Sequence, residues 1–241
     1  MGVLRELAAT WLDVTGLVFF IVAWTGYAAF AVRHELKVPS LHNTMDAFRR
    51  EWMVRMIERD NRMVDINIMR NLTRSSQFFA STTMLVLGAL IALTGYVQQT
   101  MEVVSGLPFT YRASARLIEI KIMLLVVIFT YAFFKFTWAI RQLGNCATLI
   151  GAAPPQVKDN NPEQHAPVIN RIARITSYAQ TNFTNGLRAY YFGLAALAWF
   201  LHPLLMIVAT GWVIYVLYAR EFKSKTLKAM VEDDRSETLR P

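Results

Sequence analysis

Cysteine is almost missing from this chain: Cys146 is the only one in 241 residues. An intrachain disulfide framework is therefore impossible, and the residue is read as a buried or interfacial free thiol. Charge is scarce as well. Asp, Glu, Lys and Arg make up 17% of the residues against 54% hydrophobic ones, and mean hydropathy is +0.31, too apolar for an ordinary soluble domain. Of the four histidines, His34, His42 and His165 fall in polar connectors and His202 stands alone in an apolar region. No two have metal-ligand spacing, which argues against a metal site or a bis-His haem. There is no Walker A loop, Gly-rich dinucleotide fingerprint, H-E-x-x-H or G-x-S-x-G. No catalytic residue, metal or cofactor is assigned, and the chain is read as not an enzyme. The first ten residues carry only Arg5 and Glu6, without the basic start and small-residue cleavage site of a removable leader.

What is present is a set of long apolar runs. The first, 11–32, is about 22 residues or roughly 33 Å as a helix, enough to span a bilayer core. Further spans are expected at about 78–96 and 117–140. Proline is absent from 45–95, whose glycines are Gly88 and Gly95, so one continuous helix is expected to pass there from water into lipid. Its polar half, 43–75, is expected to be an amphipathic cytoplasmic helix capped by Asn43 or Thr44. Met45, Phe48, Trp52 and Met56 form its apolar stripe, broadened by Met53 and Ile57. A second such helix is expected at 168–182 after a flexible loop over 145–167, where Gly151-Ala-Ala-Pro-Pro155 reads as a breaker. A polar tail fills 220–241.

The region 189–219 is too long for one straight crossing and has His202-Pro203 in its middle. Segments 33–76, 141–188 and 220–241 hold nine, five and six Lys/Arg, whereas the N-terminal tail and 97–116 hold one and two. Two spans, 183–201 and 203–219, place all three basic segments on one side. A single kinked span sends the tail across. The positive-inside rule prefers the first arrangement. The expected fold is all-α: a polytopic transmembrane helical bundle of five spans, with four as the alternative, and two cytoplasmic amphipathic extensions. The N-terminus lies outside and the C-terminus in the cytoplasm. The net charge of +8 is explained by these flanks, and nucleic acid is not expected as a partner.

Candidate functional residues are the cations at the span boundaries. Asn67, Asn71, Arg74 and Phe78 are spaced 4, 3 and 4 along one helix face, with Arg70 beside them. Lys135 and Arg188 are expected at a similar depth, and Lys121 lies four turns before Lys135, about 21 Å away. Buried charge is costly, so such a set reads as a path for small anions, with His202 at a hairpin apex. The expected function is a homo-oligomeric channel or transporter-like protein. The alternatives are an accessory or scaffold subunit that holds a protein partner through its amphipathic helices, and a membrane enzyme acting on lipid. Membrane lipid is a partner in every case. Asn71-x-x-Arg74 and Asn185-x-x-Arg188 also hint at a parallel internal duplication.

Several stretches are distinctive together: Glu58-Arg-Asp-Asn-Arg62, Arg70-Asn-Leu-Thr-Arg-Ser75, Phe78-Phe-Ala-Ser-Thr82, Tyr131-Ala-Phe-Phe-Lys-Phe-Thr-Trp138, Gly186-Leu-Arg-Ala-Tyr-Tyr-Phe192 and Arg220-Glu-Phe222. Over roughly 15–225 the chain resembles the bacterial family called domain of unknown function five-nine-nine. The resemblance implies a polytopic inner-membrane protein of proteobacterial type. It brings no activity and no site residue.

Overall fold

The computed structural model describes residues 2–35, 40–105, 114–154 and 162–230. Every regular element among them is helical: α1 (Gly2–Glu35), α2 (Leu41–Glu58), α3 (Met63–Thr94), α4 (Val97–Ser105), α5 (Ala115–Ala152), α6 (Pro162–Leu197) with a 3-10 turn at Ala198–Phe200, and α7 (Pro203–Phe222). Among the described residues, four stretches are long and apolar enough to cross a membrane: Trp11–Ala31, Met63–Thr94, Ala115–Ala152 and Pro203–Met230. The leg expected at 183–201 is not among them, because it holds Asn185 and Arg188 and belongs to a longer, more polar helix.

Two compact units divide the chain. The first lies within Met1–Val38, Met84–Tyr131 and Arg188–Glu221, the second within Pro39–Thr83, Ala132–Leu187 and Phe222–Pro241.

In the first unit α1 buries Asp13, Gly16, Phe20, Tyr27 and Ala31, a helical stripe. Residue pairs along it give the directions of its neighbours. Asp13 meets Trp199, Phe20 and Trp24 meet Phe192, and Tyr27 lies under Arg188, so the end of α6 runs antiparallel to α1. Gly16 meets Pro203 and Met206 and Tyr27 bonds Glu221, so α7 runs parallel to it. The chain therefore reverses at Leu201–Pro203. His202 caps the new helix: its Nδ1 accepts the Leu204 N–H at 3.1 Å, and proline suits the first helical position because it has no N–H to satisfy.

The second unit is an up-down-up-down bundle of α2, the start of α3, the end of α5 and the start of α6. Each neighbour contact joins antiparallel helices: Trp52 to Asp65, Phe79 to Phe136, Cys146 to Thr176 and Asp46 to Ser177. Met53, Met56, Ile57, Met69, Leu143, Cys146, Ile150, Ile169 and Ile172 form its core.

Four expectations are corrected here. The helix expected to run unbroken through 45–95 is broken at 59–62, and α2 folds back on α3. No proline is needed. Arg59 is extended, Asn61 Oδ1 accepts the Met63 N–H at 2.9 Å, and the reversal lets Trp52 Nε1 and Arg59 Nη1 donate to buried Asp65 at 2.7 and 2.6 Å. The cap of α2 is Ser40, whose Oγ accepts the Asn43 N–H at 3.1 Å. Phe48 is exposed, because the buried face of α2 is centred on Met53, Met56 and Ile57. Finally, most of the loop expected at 145–167 is helix. Buried Cys146 and Ile150 hold α5 in place to Ala152, and α6 starts at Pro162. Residues 155–161 of that loop and 231–241 of the polar tail lie outside the described residues.

Arg62 closes the α5 end. Its guanidinium donates to the carbonyls of Ile150 at 3.0 Å, Ala153 at 2.7 Å and Pro154, groups that a helix C-terminus otherwise leaves orphaned. Arg62→Gln is expected to cost about 1.5–3 kcal/mol, the range for hydrogen bonds to a charged group. It is read as a lower thermal midpoint of the detergent-solubilised protein. An unchanged midpoint contradicts this role.

Candidate functional site

The most enclosed ionic group in the first unit joins three elements. Asp13 comes from the start of the α1 apolar run, Lys121 from the buried stripe of α5 (Ile118, Lys121, Ile122, Leu125, Ile128), and Trp199 from the 3-10 turn that ends α6. Asp13 and Lys121 are each 4% exposed. Trp199 Nε1 donates to Asp13 Oδ1 at 2.6 Å, and Lys121 Nζ donates to the Trp199 carbonyl at 2.8 Å. The ammonium stands 3.8 Å from Asp13 Oδ1 and 5.2 Å from the centre of the Trp199 ring. Each charge is thus neutralised by the other and held by one tryptophan, at the place where the chain reverses. Ionisable groups at this depth are rare and costly, and they persist when paired.

A second ionic group, at Arg188, joins α6, α7 and α1. Its Nε donates to Glu221 Oε1 at 2.8 Å, while Tyr27 Oη donates to Glu221 Oε2 at 2.7 Å. Arg220 bonds the Tyr191 hydroxyl one turn away. These contacts clasp α6 to α7.

Of the eight residues expected to share one path, Lys121, Arg188 and His202 belong to the first unit, and Asn67, Arg70, Asn71, Arg74 and Lys135 to the second. They do not form a single cationic lining in either. Lys121 and Arg188 are spent on Asp13 and Glu221, and His202 caps α7. Lys135 Nζ donates to Asn182 Oδ1 at 3.2 Å, and Asn182 Nδ2 donates to Gln142 Oε1 at 2.9 Å. Asn67, Arg70, Asn71 and Arg74 lie on the exposed face of α3, where Arg70 bonds Asn67 at 2.6 Å. The physical reason is the same throughout: a cation turned inward finds an acceptor, and a cation without one turns outward. Asn185 is half-buried where Asn71 is exposed, so the two Asn-x-x-Arg motifs have different surroundings.

Asp13 and Glu221 are the functional candidates that sequence reasoning passes over. A lone carboxylate in a 21-residue apolar span is a signal, and Asp13 shares helical spacing with Gly16 and Phe20. Glu221 stands inside a distinctive motif, Arg220-Glu-Phe222. Among the described residues no three His, Cys, Asp or Glu side chains gather as a metal site would require.

The family model described as "Protein of unknown function, DUF599" matches residues 15–226. No curated protein and no solved structure matches the chain.

Proposed function

We propose that this chain, which belongs to the family described as "Protein of unknown function, DUF599", is a homo-oligomeric transporter-like protein of the bacterial inner membrane that couples a proton to a small anion at Asp13 and Lys121. The observation that carries the proposal is the buried ion pair itself. Protonation of the Asp13 carboxylate cancels its charge and leaves Lys121 a lone buried ammonium. A lone cation in a low-dielectric site needs an anion. One proton and one anion then enter together, and both leave when the pair re-forms. The Trp199 carbonyl, at the α6–α7 reversal, is the backbone group that this switch engages.

Five crossings with the N-terminus outside and the C-terminus in the cytoplasm suit this reading. The Lys/Arg distribution supports that topology, as do the directions of α1, α6 and α7 in the first unit.

The test is a proteoliposome assay with an entrapped pH dye and an imposed chloride gradient. Wild-type protein is expected to move protons with chloride, and Asp13→Asn and Lys121→Met are expected to abolish the movement. Proton movement no faster than in protein-free liposomes refutes the reading.

One observation favours a second reading, an accessory subunit. A groove of about 590 Å³ lies between α2 and α6 in the second unit, lined by Arg50, Glu51, Val54, Ile169 and Asn170. It is the face a partner helix would use. Liposomes that conduct nothing, together with a defined complex dissociated by Val54→Arg, would favour this role.

A further inference from the structure

The first unit holds an open groove of about 500 Å³ between α1 and α7, lined by Gly26, Phe30, Gly211, Ile214, Tyr215 and Tyr218 among others. Two glycines make it deep: a Cβ on Gly26 or Gly211 would meet no heavy atom within 4 Å. Along α1 it runs from Val22 to Phe30, about 12 Å at the helical rise. Its walls are apolar, and Tyr215, 62% exposed, stands on its rim.

One end of the groove is different in kind. The His34 ring stacks on Phe30 at 4.9 Å and lies 6.3 Å from Tyr218, so it touches both walls. Arg33, next to it in the last turn of α1, is exposed. Among the described side chains, the carboxylate near this end is Glu221, and it does not oppose a negative ligand, since both its oxygens are bonded, to Arg188 and to Tyr27. An apolar channel that ends at an exposed guanidinium and an imidazole has the polarity of an anionic amphiphile.

We infer that this groove binds one anionic phospholipid, with an acyl chain lying between α1 and α7 and the phosphate at Arg33 and His34. Glycines leave room for a methylene chain at the floor, and aromatic rings with polar tips suit the level where chain meets headgroup. Anionic lipid is the charged component of the cytoplasmic leaflet, and each basic side chain near that surface contributes to holding it. The site is independent of the Asp13–Lys121 pair and does not rest on its proposed transport role.

The experiment uses the full chain in nanodiscs carrying a phospholipid with a photoactivatable group in its acyl tail, with labelled peptides mapped by mass spectrometry. With phosphatidylglycerol, label is expected to concentrate on 22–30 and 211–218. With phosphatidylcholine it is expected to fall about fivefold, the ratio that corresponds to one basic side chain at the headgroup. Arg33→Gln with His34→Gln should erase the headgroup preference and leave chain labelling. Gly26→Leu with Gly211→Leu should remove the labelling itself, while Gly26→Ala, whose methyl meets nothing, reports that the fold tolerates change there. Label spread evenly over all apolar helix surfaces overturns the inference. So does equal labelling by both lipids, or a Val22→Cys variant in a Cys146→Ala background that cross-links efficiently to a second copy.

Discussion

Lys121→Met is expected to remove about 3–5 kcal/mol of stability, and adding Asp13→Asn is expected to return most of it. The single change leaves the Asp13 carboxylate buried with only the Trp199 Nε1 donor at 2.6 Å. At 4% exposure the carboxylate has little access to water that could stand in for the ammonium. The double change removes both charges. The amide oxygen introduced by Asp13→Asn would still accept from Trp199, and Met fills the volume of the lysine stem. Thermal unfolding of the four proteins in one detergent closes the cycle. If Lys121→Met costs no more than an exposed substitution, the pair is not buried as described. If the double variant is as unstable as the single one, the charges are not the cause.

Gly186→Ala is expected to destabilise the second unit by about 1–3 kcal/mol, the range for overpacking, even though alanine is the better helix former by about 1 kcal/mol. The added methyl would lie 2.6, 2.7 and 2.9 Å from three atoms of the Phe136 ring. That ring has no room to yield. It is fully buried and held by Phe79 at 5.4 Å and Phe183 at 5.7 Å, which also touch each other. Cys146, fully buried in the core of the same unit, is a built-in reporter. It should resist a thiol reagent in the folded protein and react as the unit opens. Gly186→Ala should lower the temperature at which it reacts, and Phe136→Leu should recover part of the loss. Unchanged Cys146 kinetics in Gly186→Ala would show that the helices can separate at Gly186 without cost.

The helices were legible because apolar spacing and length are local properties. The buried positions of α6, Ile169, Ile172, Thr176 and Ala179, follow from their spacing alone. The α2–α3 break was not legible, since 59–62 contains neither proline nor glycine. It depends on Trp52 and Arg59 meeting Asp65, a tertiary event. The loop expected from 145 began too early for the converse reason: α5 does end at Ala152, within the breaker Gly151-Ala-Ala-Pro-Pro155, but the residues before it stay helical because Cys146 and Ile150 are core. For the candidate site, the cations were visible and their partners were not. Lys121 finds Trp199, 78 residues away, and Trp199 finds Asp13 across 186. No local pattern reports such pairings: Lys121, Lys135 and Arg188 each have their own partner, whereas Arg70 and Arg74 lie on the exposed face of α3.

The most direct test of the proposed role is proton movement driven by a chloride gradient in liposomes that carry the Asp13→Asn/Lys121→Met double variant. This protein should fold nearly as stably as the wild type, so lost activity cannot be blamed on lost structure. The expected result is wild-type protein that couples proton to chloride movement and a double variant that is indistinguishable from protein-free liposomes. Coupled movement that survives the double substitution would contradict the assignment of Asp13 and Lys121 as the functional centre.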